Sequence, residues 1–188
     1  GSLCVVLERD DGVRLDDLEH DLARDRERLR DEAVFYVGWR LFAALAQLHA
    51  MRDAAGALAP GVHGALSLRD IIVTWRGEVC VVGLCPFVPA PNERQETEPL
   101  DRLGLAPEVR RGEAPTARAD TYAAGLCLRS LLVRGSLRDA LDVSLEVDRP
   151  KLPTDVVRAL ERAVDDDPTQ RPSCAELATQ LEGRGTEG

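Results

Sequence analysis

Near the middle of the chain the sequence reads His63-Gly64-Ala65-Leu66-Ser67-Leu68-Arg69-Asp70-Ile71-Ile72-Val73 and then, after a short interval, Val79-Cys80-Val81-Val82. The last three residues of the first run and all of the second are β-branched or apolar, which favours strands. The interval contains Trp75-Arg76-Gly77-Glu78, a mostly polar segment with a glycine. The pattern therefore predicts a β-hairpin directly after the segment 63–70.

Upstream of this hairpin the sequence predicts one short strand followed by helices. Leu3–Leu7 is a buried-strand pattern, and Leu15, Leu18 and Leu22 then recur at helical spacing. The next segment carries two neighbouring apolar stripes, which indicates a helix buried over most of its circumference. The stripes are Val34, Val37, Leu41, Leu45 and Leu48, and Phe35, Trp39, Phe42 and Ala46.

Downstream of the hairpin a long loop precedes further helices. Residues 86–107 contain prolines and polar residues without a period, which indicates a loop. Thr121–Val133 is apolar on nearly every side except at Arg129 and Ser130, as expected of a central buried helix.

Two shorter helices are predicted near the end of the chain. Val157, Leu160 and Val164 mark an amphipathic helix, with Thr154 as its expected cap. Ser173-Cys174-Ala175-Glu176 has the spacing of a capping box before a last helix.

Composition narrows the class of protein. A chain of 188 residues suits one domain with a sizeable core. The net charge of −9 argues against nucleic-acid binding, which depends on clustered cations. No apolar run is long enough to span a bilayer. The five cysteines are scattered through apolar stretches without metal-ligand spacing, so we expect reduced thiols, no metal site and a cytoplasmic location.

Segment 63–70 is one of five short motifs. The others are Val81-Val82-Gly83-Leu84-Cys85, Ala106-Pro107-Glu108, Ala119-Asp120-Thr121-Tyr122-Ala123-Ala124-Gly125 and Asp167-Pro168-Thr169-Gln170-Arg171-Pro172. In this order the five motifs resemble the large, C-terminal lobe (C-lobe) of a eukaryotic-like bacterial Ser/Thr protein kinase. In that lobe they correspond to the catalytic loop H-R-D-L-x-x-x-N, the D-F-G segment, A-P-E, the start of the central buried helix and D-P-x-x-R-P.

The resemblance also implies that the chemistry of a kinase is missing. Ala65 stands where the catalytic aspartate accepts the substrate proton, and Gly83 where the D-F-G aspartate holds magnesium. Asp70 replaces the metal-binding asparagine. The only lysine, Lys151, lies near the C-terminal end, and nothing in the sequence corresponds to the small N-terminal lobe (N-lobe) that carries the nucleotide-binding lysine. We therefore expect a pseudokinase, without enzyme activity and without a cofactor.

Residues that hold the kinase fold together are retained. The resemblance implies a buried charge pair between Glu108 and Arg171. It also implies that Asp120 accepts hydrogen bonds from the backbone near His63 and Gly64.

The same resemblance identifies the face of the lobe that an N-lobe would cover. Leu84 replaces the D-F-G phenylalanine as an apolar spine residue near His63, and Ile72 corresponds to the apolar floor beneath adenine. An uncovered apolar face usually marks an interface. The expected interface residues are Leu3, Val5, Leu7, Ile72 and Leu84.

The sequence thus predicts a mainly α, kinase C-lobe-like domain with a small β-hairpin and no N-lobe over residues 1–182, followed by a flexible tail at 183–188. The tail spells G-x-G-x-x-G, but no strand precedes it, so a phosphate loop is not expected there. The expected function is a regulatory or scaffolding module in signalling that binds a protein partner or a second copy of itself. The first alternative is a nucleotide-binding or weakly active kinase fragment whose N-lobe lies outside this chain. A further alternative is a purely structural remnant that serves as a spacer inside a larger signalling protein.

Overall fold

The computed structural model describes residues 11–84, 103–133 and 136–185. Its helices are α1 (Leu15–Arg24), α2 (Asp31–His49), α3 (Pro107–Arg110), α4 (Ala117–Val133), α5 (Leu137–Asp142), α6 (Leu145–Asp148), α7 (Thr154–Ala163) and α8 (Cys174–Leu181). The expected strand Leu3–Leu7 and most of the expected loop 86–107 lie outside the described residues. The mainly helical class with a small antiparallel sheet is confirmed.

The sheet consists of the three strands β1 (Gly12–Arg14), β2 (Ile71–Thr74) and β3 (Val79–Val81), in the order β1-β2-β3. The hairpin predicted from the sequence is β2–β3, in which Ile71 lies opposite Val81. Strand β1 was not predicted, because three residues are too few to show a period.

Strand β1 depends on a close approach at Gly12. A β-carbon at this position would lie 2.5 Å from the carbonyl oxygen of Val73 and 2.8 Å from the α-carbon of Thr74. Only glycine allows the backbone to pass at that distance. The entry into α1 is therefore fixed against β2.

Helices α2, α4 and α8 form the centre of the domain. Helix α4 packs against α2, α5, α6 and α7, and α2 packs against α8 and β3. Arg129 and Ser130, which interrupt the apolar run of α4, are also buried, at 4% and 2% exposed. Arg129 donates through Nε to the carbonyl oxygen of Ala140 and through Nη2 to that of Val143, both at 2.8 Å. These bonds tie α5 and the residue after it to the central helix.

The starts of the last two helices differ from each other. At α8 the capping box is present: the Glu176 N–H donates to Ser173 Oγ at 3.2 Å, and the Ser173 N–H donates to Glu176 Oε2 at 2.7 Å. At α7 the expected cap was wrong. Helix α7 begins at Thr154 itself, the N-cap position is Pro153, and no side chain caps the helix.

The last described residues pack against the domain. Arg184 donates through Nε to the carbonyl oxygen of Gln180 at 3.0 Å and also forms an ion pair with Asp155. A β-carbon on Gly185 would lie 2.6 Å from the β-carbon of Tyr36 in α2. Residues 186–188 of the expected tail lie outside the described residues.

Two of the three described cysteines are buried. Cys127 and Cys174 are buried, and burial raises the pKa of each thiol to about 12. Both are therefore protonated and unreactive near neutral pH. Cys80 is half-buried, and Cys4 and Cys85 lie outside the described residues.

The described part of the chain contains no candidate membrane span. None of its helices combines the length and the hydropathy that crossing a bilayer requires.

Candidate functional site

The catalytic-loop segment, residues 63–70, rests on the N-terminal part of α4. Asp120 is 1% exposed and accepts the backbone N–H of His63 through Oδ2 and that of Gly64 through Oδ1, both at 2.8 Å. These are the two contacts that the kinase resemblance implies. Hydrogen bonds to a carboxylate are stronger than those between neutral groups, so Asp120 fixes the start of the segment.

Asp120 has a third partner that sequence reasoning missed. His49, the last residue of α2, places Nε2 2.9 Å from Asp120 Oδ2. This contact links α2, α4 and the catalytic-loop segment through one carboxylate. The only signal available in the sequence was a histidine at the end of a predicted helix, where the helix dipole favours a positive charge.

The His63 imidazole is buried and forms a hydrogen bond with the backbone. It is 5% exposed, and its Nε2 lies 2.9 Å from the carbonyl oxygen of Val82. A carbonyl can only accept, so Nε2 carries a hydrogen. Nδ1 is buried and has no hydrogen-bond partner. His63 therefore connects the segment to the residues that follow β3.

The residue at the position expected for a catalytic base has no proton-accepting group. Ala65 is exposed and presents a methyl group, which accepts no proton. Proton transfer requires a group within hydrogen-bonding reach of the reacting hydroxyl. The methyl group of Ala65 cannot fill that role.

The Asp70 carboxylate accepts hydrogen bonds within its own turn. Leu68–Asp70 is a 3-10 turn, and Asp70 Oδ2 accepts both the N–H and the Oγ–H of Ser67 at 2.8 Å. The carbonyl oxygen of Asp70 accepts the Val82 N–H, also at 2.8 Å. One carboxylate oxygen of Asp70 is thus already saturated by local donors.

Gly83 occupies the position where a kinase holds its metal-binding aspartate. Its φ is +78°, and a β-carbon there would lie 2.8 Å from Asp70 Oδ1 and 3.8 Å from His63 Nε2. Glycine supplies no ligand atom, and Mg²⁺ prefers several oxygen ligands in octahedral geometry. The residues present therefore do not fit the magnesium–nucleotide site that the resemblance implies. Across the described ranges, no group of three or more His, Cys, Asp or Glu side chains could hold a metal ion.

Leu84 differs from its expected spine position, because its side chain is 48% exposed. Ile72 is half-buried and lies opposite Arg14 in the β1–β2 pairing. The other expected interface residues, Leu3, Val5 and Leu7, lie outside the described residues.

A buried charge pair connects α3 to the segment that precedes α8. Arg171 donates through Nη1 to Glu108 Oε1 at 2.7 Å and through Nη2 to Glu108 Oε2 at 2.8 Å. Glu108 is 4% and Arg171 1% exposed. Arg171 also donates through Nε to the carbonyl oxygen of Asp165 at 2.7 Å, and its guanidinium lies 4.9 Å from the centre of the Tyr122 ring. The paired geometry expected from the resemblance is present, with most donors of Arg171 satisfied.

The pair controls the titration of the glutamate. Burial by itself raises the pKa of Glu108, but the hydrogen bonds and positive charge of Arg171 outweigh burial and lower that pKa below its ordinary value. Glu108 is therefore charged in the folded protein near neutral pH.

Solved structures with the same fold include three variants of the kinase domain of PknI from Mycobacterium tuberculosis. Two double mutants match with 21% and 22% sequence identity and TM-scores of 0.66 and 0.67. A single mutant matches with 22% identity and a TM-score of 0.66. In each case the match covers 94% of this chain and 63% of the PknI chain.

The structural likeness establishes the fold. The chain shares the kinase-domain fold of the PknI structures over nearly its whole length and spans less than two thirds of the solved domain. No protein-family model matches the chain. No curated protein matches its sequence.

Proposed function

We propose that this chain is a catalytically inactive pseudokinase module that acts in regulation or scaffolding by binding another protein. One observation carries the proposal. The buried contacts that hold the kinase fold are present at Glu108, Arg171 and Asp120, whereas Ala65 and Gly83 offer no group for catalysis or metal binding.

The energetics of these buried contacts favour a function that depends on the shape of the lobe and not on catalysis. A buried ion pair often contributes no more to stability than apolar residues of the same volume would. Keeping the pair and the Asp120 contacts therefore favours a specific arrangement of the lobe over mere stability. That arrangement orients the surface around the degenerate cleft for recognition.

The proposed recognition surface is the face that a kinase N-lobe would cover. Leu84, which the resemblance places on this face, is 48% exposed. Burying a leucine side chain in an interface is favourable by about 1.5–3 kcal/mol. A partner domain, or a second copy of the chain, that covers Leu84 would gain this energy.

Light scattering over a concentration series tests the proposed surface. The change is Leu84→Glu, and the matched control is Val147→Glu, because Val147 is also apolar and is 80% exposed on α6. We expect association with a second copy or with a purified N-lobe-like domain, lost with Leu84→Glu and kept with Val147→Glu. Equal association of both variants, or a chain that stays monomeric and binds no such domain, contradicts the proposed surface.

The second candidate function is a nucleotide-binding or weakly active fragment completed by an N-lobe from elsewhere. The match to only 63% of the PknI kinase domain is the observation that favours it. A ligand at 100 times its dissociation constant stabilises the native state by about 2.7 kcal/mol. If the first proposal is correct, ATP should not shift the thermal unfolding midpoint, with or without Mg²⁺. A saturable shift would replace the first proposal with the second.

A further inference from the structure

A cavity of about 280 Å³ lies between α1, the loop that joins α1 to α2, and α4. Its apolar surface comes from Leu22, Leu29 and Leu131, of which Leu131 is only 6% exposed. The remaining lining residues are Glu19, Ala23, Arg26, Glu27 and Arg28. Pockets for small molecules span about 300–1,000 Å³, so this cavity suits a ligand at the small end of that range.

The charged side chains of the cavity balance one another without forming pairs. Two are carboxylates and two are guanidiniums, so their net charge is zero. Within the described ranges, none of the four forms an ion pair or a side-chain hydrogen bond with another residue. A carboxylate and a guanidinium in contact would satisfy each other, so their separation leaves both available to a ligand.

Glu19 is the least exposed of the four charged residues. It is half-buried, whereas Arg26, Glu27 and Arg28 are exposed. Burial, and to a smaller extent the charge of Asp16, raise the pKa of the Glu19 carboxyl above its ordinary value. A desolvated carboxylate without a counter-charge is unfavourable, and an ammonium group beside it would offset that cost.

Arg26 occupies a backbone position where glycine is usual. The Glu27 N–H donates to the carbonyl oxygen of Leu22 at 2.8 Å, and the Arg26 N–H donates to that of Ala23 at 3.2 Å. These two bonds form the Schellman motif that ends α1, and Arg26 is its left-handed residue, with a φ of +59°. No other described non-glycine residue has a positive φ. Such residues cluster at ligand-binding positions, and the Arg26 side chain lines the cavity.

We propose that this cavity binds a small zwitterion with an apolar side chain, of the class of a free aliphatic α-amino acid. The ligand ammonium group lies against the Glu19 carboxylate and the ligand carboxylate against the Arg26 guanidinium. The ligand side chain packs on the three leucines of the cavity. None of the lining residues belongs to the face proposed for partner binding, so the site does not depend on that partner.

Titrations of the ¹⁵N-labelled chain followed by NMR test the ligand class. The probes are leucine, N-acetyl-leucine, which lacks the ammonium group, leucinamide, which lacks the carboxylate, and glycine, which lacks the side chain. We expect leucine to shift the amide signals of Leu22, Arg26 and Leu29 saturably. Each of the other probes should bind at least about tenfold more weakly, the effect of one lost charged hydrogen bond or of the lost apolar contact.

The blocked probes also distinguish a free amino acid from the end of a peptide. N-acetyl-leucine resembles a peptide C-terminus, and leucinamide resembles an N-terminus. If either binds as tightly as leucine, one charge suffices and the proposal is wrong. Binding of glycine as tight as that of leucine contradicts it too, as does the absence of any shift with leucine.

Two variants connect the binding to the named charges. Glu19→Gln removes the partner of the ammonium group, and Arg26→Gly removes the partner of the carboxylate. We expect each to weaken leucine binding by about tenfold or more. Arg26→Gly should at the same time raise the urea unfolding midpoint, because glycine relieves the left-handed strain, so damage to the fold would not explain its weaker binding.

Arg24→Gln is the matched control. Arg24 is an exposed arginine of the same helix end that does not line the cavity, and its substitution should leave leucine binding unchanged. Unchanged binding in either Glu19→Gln or Arg26→Gly rejects the proposal. A loss with Arg24→Gln equal to that with Arg26→Gly also rejects it, because the effect would then be one of overall charge.

Discussion

Removing one partner of a buried charge pair is among the costliest single substitutions, and Glu108 is the clearest case in this lobe. Glu108→Gln removes the counter-charge of Arg171, whose side chain has no exposed surface. Breaking one side of a buried pair costs about 3–5 kcal/mol, because the other charge stays buried. We expect a loss of that size in the free energy of unfolding, measured by urea denaturation.

The exposed pair between Glu113 and Arg111 is the matched control. Its atoms lie 3.2 Å apart, and both side chains are 61% exposed. Pairs in this environment contribute about 0–1 kcal/mol. Glu113→Gln should therefore change stability by less than about 1 kcal/mol, and a cost equal to that of Glu108→Gln would contradict the buried-pair account.

Glu108 also makes stability depend on pH. Its pKa is lower in the folded than in the unfolded chain, so its contribution is fully present above the unfolded value of about 4.3 and is lost as the pH falls through the folded value. We expect the difference in unfolding midpoint between wild type and Glu108→Gln to shrink as the pH is lowered below about 4.3. A difference that is constant with pH would show that the pair does not act through charge.

Much of the site at this scale could be inferred from sequence, but only where a motif names a partner. The motifs implied the partners of Asp120 and Arg171. The role of His49 and the cap made by Asp70 could not be inferred. The first requires knowing that α2 ends beside α4, and the second that a carboxylate folds back onto Ser67.

Among the elements, α7 and α8 provide a contrast between a helix with and without a side-chain cap. Ser173→Ala removes the capping box of α8 and should cost about 0.5–2 kcal/mol. Thr154→Ala changes an exposed residue that caps nothing and should be close to neutral. Urea denaturation of the two variants measures both values, and equal costs would contradict the observed caps.

Elements with a long, regular apolar pattern were the predictable ones. The stripes of α2 and the apolar run of α4 fix helices, because periodicity persists over many residues. Strand β1 and the start of α7 could not be inferred, since the first depends on pairing with β2 and the second on a proline at the cap position. Tertiary contacts, and not local preference, set those boundaries.

The whole molecule should unfold in one step, because α4 contributes to both apolar cores that the described residues form. Leu128 belongs to the main core and Tyr122 to a smaller one around α3 and α5. Neither core can lose α4 and remain buried, which is the condition for two-state behaviour.

Two optical probes can check this cooperativity. Trp39 in α2 is half-buried, whereas Trp75 is 78% exposed in the β2–β3 turn. We expect the fluorescence change on unfolding to come from Trp39, to survive Trp75→Phe and to share one urea midpoint with far-UV circular dichroism. Two distinct midpoints would show that the cores unfold separately.

The Glu108–Arg171 pair also sets an order of events during protein synthesis. The two residues are 63 positions apart in the chain. At about 5–20 residues per second, Arg171 is translated roughly 3–13 s after Glu108. Throughout that interval the nascent chain holds a carboxylate whose native partner does not yet exist, so burying the α3 region early is unfavourable. The lobe can therefore be completed only when almost all of this sequence has left the ribosome, and chaperones that bind exposed apolar segments have several seconds to act on the α3 region.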